Sequence, residues 1–364
     1  MNRRVTHMEF CWMLPEGNLE TILQQTQLAE AGGFQSVLLI NANSYMDPWI
    51  IATVLTQETE RIRILVAQNT SYCLPTTTAK AFNTLSLISA GRIDLNMVTG
   101  SSQVELGKMT RAGDHASRYK RTKEFIDLYL RLQQGGITHY HGDCFDVQNA
   151  ELFPKRDAPT GRLFMAGSSQ EAMAIAAEFA DGYLVFGHEL DEIEQHFTSF
   201  RELVPELRTN LELNPNPHCG IMIDIIARET TEEAWEAAYH FLESASPFEK
   251  RMNRLFRNNS DSVGISKYHN YYSQSKHAPS NYAQAEGSPS STLWPGLSQL
   301  NTSNGFSIVG SYEEVRHTIS RFHTIGVNYF ILSGLISTQE LERISKHIVL
   351  PFQSRHLPIG NVSK

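Results

Sequence analysis

The feature that most constrains this chain is a steady alternation of short apolar runs with longer helix patterns. The runs are aliphatic and show little inward–outward alternation, which is typical of strands buried on both faces of a parallel sheet. Eight strands, each followed by a helix, predict an α/β fold of the (β/α)8 TIM-barrel type. The predicted strands are Glu9–Leu14, Ser36–Asn41, Ile62–Ala67, Ile93–Val98, Leu163–Ala166, Tyr183–Phe186, Gly220–Ile226 and Tyr329–Leu332.

A doubly wound sheet would alternate in the same way, so the count of strands favours a barrel without proving it. No GxGxxG motif follows the first strand, where the chain reads Leu14-Pro15-Glu16-Gly17, and this argues against a Rossmann dinucleotide site. Helices are predicted over Leu19–Ala31, Tyr45–Thr56, Thr76–Ile88, Arg118–Leu132, Glu171–Phe179, Thr231–Ser244 and Tyr312–Ile325, with Ser311 as the N-cap of the last.

Two long insertions interrupt the alternation. The first follows strand four and includes a predicted hairpin that turns at His141-Gly142. The second, after strand seven, spans residues 246–306 and contains a polar stretch rich in Ser, Pro and Gly over Ser273–Ser291. Long insertions at the carboxyl ends of barrel strands commonly act as lids or binding loops. We therefore expect one domain, 1–364, with a lid at 246–306.

Composition narrows the class of protein. Hydrophobic residues make up 41% of the 364 residues, enough for a large core, so global disorder is excluded. Four cysteines without CxxC spacing favour neither a disulfide scaffold nor a structural zinc site. A net charge of −8 argues against non-specific binding of nucleic acid. No apolar run reaches the roughly 18 residues that span a bilayer, so we expect a cytoplasmic protein without a membrane partner.

In a barrel, binding and catalysis occur where the strands end. Gly167-Ser168-Ser169 follows strand five and opens a helix, which predicts an anion site suited to a phosphate because backbone N–H groups and hydroxyls converge there. Helix capping by Ser169 alone explains the same pattern. Asp224 lies inside an apolar strand, so it is either paired or turned into the barrel.

Histidines offer weaker signals. His139, His141 and Cys144 have a spacing that suggests a metal, but the segment is a predicted hairpin with no fourth ligand nearby, and we expect no metal site. His115 lies in a polar stretch ahead of a helix, where a surface or capping role is as plausible as a functional one.

An ordered set of short strings, running from about residue 8 to 353, resembles the bacterial luciferase-like flavin monooxygenases, and within them the alkanesulfonate monooxygenase group. Each string is weak alone, but their shared order is specific. The strings are Trp12-Met13-Leu14-Pro15, Ile64-Leu65-Val66-Ala67, Leu85–Arg92, Asn96-Met97-Val98-Thr99-Gly100, Glu105-Leu106, His115–Tyr119, Ala166–Ser169, Ala227–Thr230 and Ile308–Ser311.

The resemblance implies a (β/α)8 barrel that binds FMN, delivered as FMNH2 by a separate NAD(P)H-dependent flavin reductase, with O2 as co-substrate. Relatives are commonly dimers or tetramers, so a homo-oligomer is expected. In such enzymes the reduced flavin forms a C4a-(hydro)peroxide that oxidises an organic small molecule. The implied cofactor-binding residues are Asn41, Ala67 and Asn96 at the ring, Glu105 at the acidic position that follows the Asn96–Gly100 string, and Arg118, Tyr119, Gly167, Ser168 and Ser169 at the phosphate.

The chain departs from the alkanesulfonate group at chemically active positions. Tyr45 replaces a cysteine, Met222 and Asp224 replace an arginine and a histidine, and the histidine after strand one is either replaced by Glu16 or lost. A lid arginine and a tyrosine after strand eight align with Asn301 and Leu335. Arginine suits a sulfonate because its fork matches the sulfonate oxygens. A simple alkanesulfonate is therefore not the expected substrate, and a neutral or cationic one fits better.

The expected catalytic residues are Asp224, Tyr45, Glu16 and His188, with His115 a weaker candidate. The leading hypothesis is a two-component FMNH2-dependent monooxygenase of specialised metabolism. Two alternatives remain. One is a coenzyme F420-dependent oxidoreductase on the same fold, and the other is a flavin-binding relative that has lost its catalytic activity.

Overall fold

The computed structural model describes residues 7–100, 102–110, 113–155, 161–210, 213–266, 292–300, 305–335 and 337–354. Eight parallel strands close into a barrel, because each pairs with the next and the last pairs with the first. This confirms the predicted (β/α)8 fold. The barrel strands are β1 (Glu9–Met13), β2 (Ser36–Leu39), β3 (Arg63–Asn69), β4 (Ile93–Val98), β7 (Leu163–Ala166), β8 (Gly182–Phe186), β9 (His218–Arg228) and β12 (Tyr329–Gly334).

Helices surround the barrel and connect its strands. Two predicted helices, Leu19–Ala31 and Thr231–Ser244, are observed with the same bounds. The predicted helix at Tyr45 instead starts at Pro48, since Asp47 caps it through bonds from the Trp49 and Ile50 amides. The helices are α1 (Leu19–Ala31), α2 (Pro48–Glu58), α3 (Pro75–Ile88), α4 (Gln103–Met109), α5 (His115–Gln133), α6 (Gln170–Phe179), α7 (Leu190–Leu207), α8 (Thr231–Ser244), α9 (Pro247–Asn258), α10 (Tyr312–Thr324), α11 (Thr338–Ile344), a π-helical turn (Ser345–Val349) and α12 (Leu350–Ser354).

Both strand faces are buried, which explains why the strand runs lack alternation. Cys11 and Met13 of β1 pack inside the barrel with Leu65 and Tyr329, whereas Phe10 and Trp12 pack outward against the helices. None of these side chains is more than marginally exposed. The side chains of β1 therefore alternate between the barrel interior and the helices, since successive side chains of a strand point to opposite faces.

The two insertions carry additional strands. The predicted hairpin is observed as an antiparallel pair, β5 (Thr138–His141) and β6 (Asp146–Ala150). In the second insertion, β10 (Leu293–Trp294) and a 3-10 turn (Gly296–Gln299) are observed, and β11 (Ser307–Ser311) directly follows the insertion. β9 runs past the barrel, so its residues 224–228 pair with β11 where β8 has ended. Residues 267–291 and 301–304 of the predicted lid lie outside the described residues.

The amino end of the barrel is closed by an ion network. Asp94 of β4 is fully buried and accepts hydrogen bonds from the guanidinium groups of Arg63 and Arg162. Arg162 also binds the carboxylate of Glu9 at 2.7 and 2.9 Å. Burial would raise the pKa of Asp94, but the two arginines lower it below its ordinary value. The helices of the described residues include none that is long and apolar enough to cross a membrane.

Candidate flavin site

A cavity of about 290 Å3 lies at the carboxyl ends of β2, β3, β4 and β7. This is near the lower end of the usual range for small-molecule sites, about 300–1,000 Å3. The cavity brings together all nine residues that the resemblance implies for FMN. They are Asn41, Ala67, Asn96, Glu105, Arg118, Tyr119, Gly167, Ser168 and Ser169.

The side chain of Asn96 is available to a ligand at the floor of this cavity. Asn96 stands on β4, two residues beyond Asp94, so the two side chains share the interior face. It is only 6% exposed, and its Oδ1 atom has no hydrogen-bond partner. A buried polar atom without a partner is costly, so a ligand that donates a hydrogen bond there gains affinity.

The turn from β7 to α6 brings a helix start to the cavity wall. Ser169 caps α6, since its Oγ accepts from the Ala172 amide at 3.2 Å. Gly167 adopts φ of +142°, and a Cβ there would lie 2.9 Å from both the Ala172 Cβ and the Tyr119 Oη. Glycine therefore allows the helix start and the Tyr119 hydroxyl to come close together. The geometry is compatible with both interpretations of Gly167-Ser168-Ser169, since Ser169 caps the helix and the start of the helix also lines the cavity.

Arg118 on α5 is buried at the same wall, with 3% of its side chain exposed. Its Nη2 donates to both carboxylate oxygens of Asp261 at 2.7 and 2.8 Å, and its Nη1 donates to the Gly113 carbonyl. The Nε atom is buried without a partner. Arg118 is the only arginine or lysine among the described residues that line the cavity. The site therefore has one cation, and a carboxylate of the chain already neutralises it.

Glu105 lies on α4 and also lines the cavity. Its Oε2 accepts from Asn43 at 2.7 Å, and its other oxygen pairs with Lys108. Burial raises the pKa of Glu105, but the bonds from Asn43 and Lys108 outweigh burial and lower it. The charge of Glu105 also raises the pKa of nearby Tyr72, adding to the effect of burial. Glu105 is thus held as a carboxylate at neutral pH.

None of the four expected catalytic residues is among the described residues that line the cavity. Asp224 on β9 is 1% exposed and accepts a 2.7 Å bond from the Ser333 hydroxyl. His188 follows β8, with its ring 4.7 Å from that of Phe306. Tyr45 lines a separate small hollow together with Leu14 and Ile40, and burial and the charge of Glu16 raise its pKa.

Several lining residues were not predicted as part of the site. Asp261, Ser262, Val263 and Ile265 come from the second insertion, and no local pattern marks them. His115 caps no helix, because Asp114 does, and its ring lies 4.7 Å from the Tyr119 ring at the cavity. Met222, which aligns with an arginine of the alkanesulfonate group, also lines the cavity.

The hairpin histidines lie elsewhere. His141 pairs with Asp146 at 2.9 Å, and the Nδ1 of His139 accepts a long bond from the Asn149 amide. Across the described ranges, no group of three or more His, Cys, Asp or Glu side chains is placed to hold a metal ion.

The sequence model of the luciferase-like monooxygenase family matches residues 6–329. The chain belongs to that family. Its residue pattern, its barrel and its cavity all agree with this membership.

Solved structures share the fold at low identity. A riboflavin lyase bound to modified FMN and its substrate riboflavin is 16% identical with a TM-score of 0.77, covering 96% of this chain and 92% of that chain. EDTA monooxygenase from Chelativorans sp. BNC1 is 16% identical with a TM-score of 0.76, covering 96% and 94%. An F420-dependent secondary alcohol dehydrogenase is 17% identical with a TM-score of 0.70, covering 95% and 99%.

Proposed function

We propose that this protein is a two-component FMNH2-dependent monooxygenase that uses O2 to oxidise an organic small molecule. The observation that carries the proposal is the cavity itself. Nine residues from separate strands and helices converge there, and the Asn96 Oδ1 and Arg118 Nε atoms are buried without partners. Unsatisfied buried polar atoms at one cavity are expected where a polar ligand completes the site.

The proposed flavin would be held at two ends. Its phosphate would bind at the start of α6, with the Ser168 and Ser169 hydroxyls and Arg118, because amide N–H groups and a guanidinium both suit a phosphate. Its ring would lie against Asn41, Ala67 and Asn96, where Asn96 can supply an acceptor. Bound reduced flavin supplies the activation of O2, and the protein supplies position, polarity and exclusion of water.

The apolar part of the cavity wall is suited to the exclusion of water that the proposal assigns to the protein. Leu38, Ile40, Val98 and Met222 also line the cavity. These side chains donate and accept no strong hydrogen bonds, so they would keep water from the reacting atoms of a bound flavin.

The proposed acid–base roles belong to residues that are not part of the described cavity lining. Asp224 is a candidate to hold or move a proton, because it is buried and its Oδ1 is kept in place by Ser333. Tyr45 is held protonated by its raised pKa, so it is suited to donate a hydrogen bond rather than accept a proton. Glu16 and His188 complete the proposed catalytic set.

We further propose that the substrate is neutral or cationic. The described wall carries two carboxylates, Glu105 and Asp261, against one arginine. A sulfonate would need a cation beyond the one that would hold the flavin phosphate. Free FMNH2 would come from an NAD(P)H-dependent reductase in the cytoplasm, and the protein would act as a dimer or tetramer.

Anaerobic titration tests the proposal. We expect FMNH2 to bind with saturation and reduced F420 not to bind, and we expect O2 uptake by the loaded protein to yield oxidised substrate. Tight binding of F420 without FMNH2 would indicate hydride transfer instead. Binding of FMNH2 without any substrate oxidation across neutral and cationic candidates would indicate a flavin-binding relative without the chemistry.

A further inference from the structure

The guanidinium proposed for the ligand phosphate is already occupied by a carboxylate of the same chain. Arg118 and Asp261 are 143 residues apart in sequence, yet both oxygens of Asp261 accept from one Arg118 nitrogen. A second contact fixes the carboxylate, since Gln103 donates to its Oδ2 at 3.2 Å. Asp261 is 32% exposed, whereas Arg118 is 3% exposed, so the pair joins a buried cation to a partly solvated anion.

From this geometry we infer that Asp261 competes with the ligand phosphate for Arg118 and so sets how readily the flavin is exchanged. The inference rests on the proposed function. A phosphate and a carboxylate both carry oxygens that match the guanidinium fork, so each can replace the other. Two anions at one guanidinium repel each other, so the phosphate gains its full contact only when Asp261 leaves.

The position of Asp261 links this exchange to the shape of the cavity. Ser262, Val263 and Ile265 follow it and line the cavity, and Ser260 forms a bridge with Ser102 at the start of α4. A Cβ on Gly264 would lie 3.1 Å from the Ser168 Oγ, so this segment sits directly on the proposed phosphate site. Departure of Asp261 would therefore move a wall away from a cavity that is otherwise small for its proposed ligand.

A weakly held flavin is what a two-component enzyme requires. Reduced flavin has to enter from the reductase and oxidised flavin has to leave after each turnover. An internal carboxylate that rebinds Arg118 stabilises the empty state and lowers the net affinity for the phosphate by the free energy of its own contact.

The test compares FMN with riboflavin, which lacks the phosphate, by titration of flavin fluorescence on the full chain. Asp261→Asn keeps the size of the side chain and removes its charge. We expect the variant to bind FMN about tenfold more tightly, while riboflavin affinity changes less than about twofold. The matched control is Asp143→Asn, which makes the same charge change at an exposed carboxylate that pairs with Lys120 on the surface.

Other outcomes of this titration distinguish failure of the competition at Arg118 from failure of the proposed function. Unchanged or weaker FMN binding by Asp261→Asn, with riboflavin unaffected, would overturn the competition, because Asp261 would then position Arg118 for the phosphate. An equal gain for FMN and riboflavin would also overturn it, since the effect would not depend on the phosphate. If the wild type and both variants bound neither of these flavins, and FMNH2 also failed to bind in the anaerobic titration, the proposed function itself would fail.

Inorganic phosphate provides a second readout. We expect it to displace FMN from Asp261→Asn at a lower concentration than from the wild type. Equal displacement from both proteins would contradict the competition.

Discussion

Replacing Asp94 by asparagine tests whether the ion network at the amino end holds the barrel closed. The Asp94 carboxylate is fully buried and accepts five hydrogen bonds, two from Arg63 and three from Arg162, at 2.6–3.2 Å. Asp94→Asn keeps the shape and removes the charge. Two arginines then lose the anion that neutralises them inside the protein.

The expected loss follows from the burial. Removing one partner from a buried ion pair typically costs about 3–5 kcal/mol, because the remaining charge stays desolvated. Arg162 keeps its bonds to Glu9, and an asparagine oxygen can still accept, so we expect the lower end, about 3 kcal/mol. Urea unfolding followed by tryptophan fluorescence measures the change as a lower midpoint at unchanged slope.

The dependence of protein stability on pH provides an independent check, because the direction of the Asp94 contribution is defined. The pKa of Asp94 is lowered in the folded protein by the hydrogen bonds and charges of Arg63 and Arg162, which outweigh burial. Its contribution to stability is therefore complete above the unfolded pKa of about 3.9 and is lost as the pH falls through the lower folded pKa. Asp94→Asn should lack this part of the acid dependence.

The control for this experiment is Asp143→Asn, whose carboxylate pairs with Lys120 in solvent. Exposed pairs contribute little, so its urea midpoint should match the wild type. The reasoning is refuted if Asp94→Asn unfolds at the same urea concentration as the control.

Three further substitutions probe the cavity. Ser169→Ala removes the N-cap of α6, so the free energy of unfolding should fall by about 0.5–2 kcal/mol. Calorimetry should show weaker binding of FMN and unchanged binding of riboflavin. Asn96→Ala should weaken both flavins about three- to tenfold in the same assay, as expected for one net hydrogen bond; selective loss of FMN would contradict its place at the ring. Asp224→Asn should lower turnover while leaving FMN affinity unchanged; unaltered turnover in an O2-uptake assay would remove Asp224 from the mechanism.

The barrel could be predicted from the sequence because the apolar runs that form its strands are local features of the chain. Each of the eight barrel strands is a short apolar run with buried neighbours on both faces, and β4 and β7 are observed with the predicted bounds. The strand β11 (Ser307–Ser311) was not predicted, since two serines flank only three apolar or small residues. It exists because β9 extends beyond the barrel and offers an unpaired edge.

The site was accessible from sequence only in part. Asn96 and Ser169 belong to strings next to strand ends, so their convergence follows from the barrel and the family resemblance. Asp261 belongs to no such string, and its contact with Arg118 spans 143 residues. Pairings of this kind depend on how an insertion folds back, which periodicity and local propensity do not encode.

The most direct test of the central claim is stopped-flow mixing of the protein–FMNH2 complex with oxygenated buffer. If the cavity is a monooxygenase site, oxidised flavin should form from the complex in a separate kinetic phase. That phase should be slower than the oxidation of free FMNH2 under the same conditions. A substrate should speed that phase. Single-phase oxidation at the rate of free FMNH2, with and without candidate substrates, would contradict the account.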